Sequence, residues 1–168
     1  FVDATGGGHL CRAIGCESML GVDARKRFDE PSAPEKSAEF LNAISLCYRI
    51  RKVANPKRQS APEKTIPFPK TGFISGVSEE ELIVNPLPLV DGMMLIQKGY
   101  DATLAMARER VLAHWHWLQG YPHFRDYELV GIAPMLGIRE GHRIVAEYIL
   151  TEQDVRTGVK ASPHKDLI

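Results

Sequence analysis

No run of this sequence stays apolar over the roughly 18 to 20 residues that a membrane helix needs, so no span is predicted. An excess of charge is also missing, because Lys+Arg and Asp+Glu both number 21 among 168 residues. A general nucleic-acid binder carries a basic surplus, and that class is set aside. Cysteine is scarce: Cys11, Cys16 and Cys47 are odd in number and scattered. That argues against a disulfide framework and tilts the reading toward a reducing, cytoplasmic setting. Cys11 and Cys16 stand too far apart for a C-x-x-C redox pair and do not fit a zinc knuckle. They are expected to be buried small hydrophobes.

Three catalytic signatures are absent too. Ser75 lies one residue out of frame for a G-x-S-x-G elbow, which removes support for a serine hydrolase. The glycines at 6 to 8 make neither G-x-G-x-x-G nor a P-loop. His114 and His116 are two apart on a predicted helix, where one metal requires an i, i+4 pair, so no metal site is expected.

What is present suits a folded domain, with 44% hydrophobic and 25% charged residues. The chain opens without Met inside an apolar segment and ends at Leu167-Ile168 without a cap, so it reads as an internal piece. Residues 1 to 5 are predicted as a strand broken by Gly6-Gly7-Gly8, with a short helix over His9 to Gly15. Residues 18 to 42 read as a polar excursion marked by Pro31 and Pro34. Ile44, Leu46, Tyr48 and Ile50 alternate with polar neighbours, predicting a half-buried strand to Val53. The proline-rich stretch 54 to 72 reads as a flexible loop whose Lys57, Arg58 and Lys64 face solvent. A β-rich segment covers 73 to 84, and a helix covers 98 to 119 with Leu104, Ala107, Val111, Trp115 and Leu118 on one stripe. Strands are predicted near 128 to 133 and 143 to 150, and Thr151 reads as the N-cap of a last helix.

Two clusters could carry chemistry. A glycine turn after a strand lets backbone N–H groups approach a phosphate or ribose, or it is simply a tight structural turn. Gly137 to Ile144 places Arg139, Glu140, His142 and Arg143 within five residues. Arginine there could grip a carboxylate or phosphate, or form an Arg139–Glu140 or Glu140–Arg143 ion pair.

Both clusters carry a resemblance. Phe1-Val2-Asp3-Ala4-Thr5-Gly6 with Gly8, His9, Leu10 and Ala13 resembles the F-I-D-A-T-G-D-G-D-L-A-x-x-A-G segment of a bacterial FAD-dependent oxidoreductase family. Pro134 to Glu140, Arg143-Ile144-Val145 and Glu147 to Val155 resemble its P-Q-L-G-I-R-E-S-R-R-I-V-G-E-Y-x-L-T-E-E-D-V segment. The resemblance implies an α/β fold, mixed α+β in a fragment, holding part of a Rossmann-type FAD domain and part of an inserted substrate domain. Residues 1–17 would belong to the FAD domain, 18–133 mostly to the substrate domain, and 134–168 to the return toward the flavin. Ala4, Thr5, Gly6 and Gly8 would meet FAD, and Arg139, Glu140 and Arg143 would lie at the active site. The implied reaction moves hydride or electrons between FAD and a small organic substrate, with the fragment alone inactive. The departures are Gly7 and His9 in place of acidic residues, and Gly141-His142 in place of a Ser-Arg pair. They keep a second reading in view, a non-catalytic relative or small binding module on the same scaffold.

Overall fold

Tyr48 and Ile50 are buried while Arg49 and Arg51 are exposed, and that alternation builds the central strand of the larger sheet. A computed structural model describes residues 1–158 and divides the chain into two units. One unit is Asn42–Arg139, and the other joins Phe1–Leu41 to the chain from Glu140 onward.

In the Asn42–Arg139 unit, β2 (Tyr48–Lys52) pairs on one side with β4 (Glu81–Asn85) and on the other with β5 (Tyr127–Ile132). β3 (Phe73–Gly76) completes the antiparallel order β3-β4-β2-β5. The strand starts later than its alternation suggests, because Ile44 and Ser45 bridge instead to Val90 and Gly137. Glu81 joins the outward arginines, 2.8 Å from Arg49 and 3.1 Å from Arg51. The inward residues meet α4 (Tyr100–Leu118), which follows α3 (Met93–Lys98) across Gly99. Ala107, Val111, Trp115 and Leu118 are buried in one core with Tyr48, Ile50 and Val84, as the helical stripe predicts.

The loop from 54 to 72 is pinned rather than flexible. Gln119, at 3% exposure, donates to the carbonyls of Lys57 and Tyr127, and its Oε1 accepts from the Gln59 amide. Arg58 is exposed, as expected, and also donates to the Gln119 carbonyl at 3.2 Å. His116 Nδ1 lies 2.9 Å from the Gln59 carbonyl, and Phe68 stands edge-on to His114.

The other unit contains α1 (His9–Ala13), β1 (Ser18–Met19), α2 (Arg25–Phe28), β6 (Arg143–Ile144) and α5 (Glu152–Thr157). The strand expected over residues 1 to 5 does not form, because Asp3 folds the segment into a local turn. The one expected over 143 to 150 shortens to β6, which pairs with β1 through Ser18↔Ile144 and Met19↔Arg143. Thr151 caps α5 as predicted: its hydroxyl accepts from the Asp154 amide, and Asp154 accepts the Thr151 amide. Glu30 accepts the next amide, that of Glu152, at 2.8 Å.

All strand pairs among the described residues are antiparallel, so the chain is α+β. No helix among them is long and apolar enough to cross a membrane.

Candidate functional site

The glycine turn is organised by a residue that sequence reasoning did not single out. Asp3 Oδ1 accepts from the Thr5 amide at 3.0 Å and the Thr5 hydroxyl at 2.6 Å. Asp3 Oδ2 accepts from the Cys11 amide at 2.9 Å, and Thr5 Oγ1 accepts from the His9 amide at 2.8 Å. These donors, the Cys11 amide first, hold the Asp3 carboxyl well below the usual carboxylate range. An aspartate two residues before a threonine is an ordinary turn pattern, and that was the available signal.

Between these anchors the backbone turns through left-handed conformations at Gly6 (φ +73) and Gly8 (φ +61). A side chain at either position would be strained. A Cβ on Gly8 would also stand 2.6 Å from Ile144 Cδ1. A Cβ on Gly141 would come 3.8 Å from the Gly7 Cα. The glycine turn therefore lies directly against residues 141 to 144, and the two distant sequence clusters adjoin within one unit.

His142 faces this junction, with Nδ1 3.3 Å from Ser18 Oγ. Partial burial, then the nearby Arg12 and His9, pushes its pKa below the ordinary histidine value. Arg143, expected at the active site, reaches Asp23 at 2.9 Å and donates to the Gly21 carbonyl at 2.5 Å. Asp23 is shared with Arg27 at 2.7 Å, so Arg143 belongs to a small ion-pair network that braces β6. Glu140 opens the segment and is exposed. Arg139 ends the Asn42–Arg139 unit with its side chain exposed. Ala4, Thr5 and Gly6 are exposed, and the Thr5 hydroxyl is used inside the turn.

The cysteines depart from expectation. Cys16 is exposed, and Cys11 and Cys47 are only half-buried.

The chain matches a family model along its whole length, residues 1–168, and that model describes FAD dependent oxidoreductases. It belongs to that family. Neither a curated protein nor a solved structure matches it. Membership in the FAD-dependent oxidoreductases assigns a redox function in general terms and implies dependence on FAD.

The residues at the turn suit one wall of such a cofactor. Gly6, with nothing within 4 Å of where a Cβ would stand, leaves backbone that a bound group can approach closely, while at Gly8 Ile144 fills that space. Arg12 and His9 lie near His142 beside the turn.

Proposed function

We propose that this chain supplies one wall of the FAD site and much of the substrate domain of a flavin-dependent oxidoreductase. The observation that carries the reading is the packing of the glycine turn against residues 141 to 144, since both segments resemble the family's motifs. In this reading Ala4, Thr5, Gly6 and Gly8 meet FAD, with Asp3 setting the turn. Residues 1–17 belong to a Rossmann-type FAD domain, and the return from 134 onward comes back to it. Residues 18–133 serve mainly the substrate. FAD supplies the chemistry itself, accepting or donating hydride or electrons. Arg139 stabilises negative charge that develops on substrate or flavin, and Glu140 orients the substrate or moves its proton. Arg143 is a positioning residue in this scheme, because its guanidinium already serves Asp23 and Gly21. The G-x-G-x-x-G turn that grips pyrophosphate is not among these residues, so other backbone must provide that contact.

The test uses the protein purified from its natural gene. A flavin spectrum is expected, and Gly6→Ala, at the glycine with open space beside it, should lower flavin content several-fold while circular dichroism is retained. Arg139→Ala should keep the flavin but slow its reduction by about a hundredfold, the scale for losing one preorganised charge. Arg143→Ala should instead lower the melting temperature. A protein without flavin absorbance would favour the non-catalytic reading, to which the replacements at Gly7, His9 and His142 lend weight. Turnover unchanged in Arg139→Ala would remove that residue from the mechanism.

A further inference from the structure

The end of α1 is closed by two nested hydrogen bonds. The Gly15 amide donates to the Arg12 carbonyl at 3.1 Å, and the Cys16 amide reaches back to the Cys11 carbonyl at 2.9 Å. With Ile14 as C-cap and Gly15 at φ +89, this is a Schellman closure. Such a closure sets the third residue from the helix end against the second residue beyond the cap, where side chains commonly meet. Here both residues are cysteines. A peptide hydrogen bond joining the same two residues keeps their Cα atoms within the roughly 4.4–6.8 Å that a disulfide spans. Both are free thiols, Cys16 exposed and Cys11 half-buried.

We propose that Cys11 and Cys16 form a reversible dithiol–disulfide centre, oxidised by a small-molecule disulfide such as glutathione disulfide. In the first step the Cys16 thiolate attacks one sulfur of glutathione disulfide. The bond between Cys16 and glutathione forms, the glutathione S–S bond breaks, and one glutathione leaves as its thiolate. The Cys11 thiolate then attacks the Cys16 sulfur, forming the Cys11–Cys16 bond and releasing the second glutathione. Two cysteines are oxidised and one glutathione disulfide is reduced. The two cysteine protons end on the two glutathione thiols.

The order of attack follows from the surroundings. Cys16 is open to solvent, as an attacking thiol must be. Cys11 is held as the thiol, with its pKa raised by partial burial and then by the adjacent Asp3 carboxylate, so it resolves rather than initiates. Because the Cys11 amide is bound by Asp3, the centre sits on the same frame as the glycine turn. Its chemistry requires no bound flavin.

The full chain carrying Cys47→Ser tests this. It is equilibrated across a range of reduced and oxidised glutathione, quenched with a thiol-alkylating reagent, and read by intact mass and peptide mapping. The expected result is a loss of two hydrogens, a Cys11–Cys16 cross-linked peptide, and full reversal by dithiothreitol. Adding Cys11→Ser should trap glutathione on Cys16, roughly tenfold above the level in the parent, since no resolving thiol remains. Both cysteines alkylated independently at every ratio would overturn the proposal. So would equal adduct levels with and without Cys11. The first measurement leaves the pair intact and can be repeated on the unsubstituted chain by peptide mapping, so it stands even if Cys11→Ser or Cys47→Ser folds poorly.

Discussion

Asp3 and Cys11 are joined by a single hydrogen bond of 2.9 Å between a carboxylate oxygen and a backbone amide, eight positions apart. That bond ties the start of α1 to the residues before the glycine turn.

The bond can be removed selectively. Asp3→Asn keeps one oxygen for Thr5 but presents an NH2 to the Cys11 amide, which cannot accept it. The Cys11 amide should then lose hydrogen-exchange protection several-fold. The folded carboxyl titrates below its unfolded value of about 3.9, so its contribution is present above that value and is lost only as pH falls through the lower, folded one. Protection in the unsubstituted chain should therefore persist down to about pH 4. Equal protection in the Asn variant would show that the bond does not hold the turn.

A second prediction concerns the buried pair of the Asn42–Arg139 unit. Tyr48 Oη and His114 Nδ1 lie 2.7 Å apart, and both residues are at 1% exposure. Burial raises the Tyr48 pKa, so the phenol keeps its proton and shares one hydrogen bond with Nδ1. The other ring nitrogen, Nε2, is buried without a hydrogen-bond partner among the described residues. Burial pushes the His114 pKa down to about 4. The unfolded chain binds a proton near pH 6.5 and the folded chain does not, so stability falls as pH drops from about 6.5 to about 4. The loss should be on the order of 3 kcal/mol, levelling off below the folded pKa. Urea titrations followed by tryptophan fluorescence would measure it, and His114→Leu should flatten the profile in that window. A variant with the same slope would place the proton uptake elsewhere.

Gln119 offers a third. Gln119→Leu removes both side-chain donations and leaves the Gln59 amide and the Lys57 and Tyr127 carbonyls without this partner. Unsatisfied buried groups cost about 1–3 kcal/mol each, reduced where water reaches them. A loss of about 2–3 kcal/mol is expected, with limited proteolysis appearing first between residues 54 and 72. An unchanged cleavage pattern would mean that Phe68 and His116 suffice to hold the loop.

Features written in a short stretch of chain were legible in the sequence. The alternation through Tyr48 and Ile50, the stripe from Ala107 to Leu118 and the Thr151–Asp154 capping box each depend on neighbours a few residues away. Features set by distant partners were not. Gly8 carries no mark of Ile144, and nothing in the sequence pairs Arg143 with Asp23. The extended look of residues 1 to 5 misled because apolar, β-prone residues say nothing about whether a strand is available to pair. Cys11 and Cys16 had a usable signal in Gly15, a helix-ending glycine that brings the flanking residues together. The C-x-x-C spacing rule looked past it.

The partnership of β1 with β6 sets an order of assembly. Ser18 and His142 are 124 positions apart, and the whole Asn42–Arg139 unit lies between them in the chain. Contacts of such long sequence separation form only after a large loop has closed, and they slow folding accordingly. During synthesis the glycine turn emerges well before Ile144 and waits for that residue to brace it. The turn thus becomes competent only after the intervening unit has had time to fold.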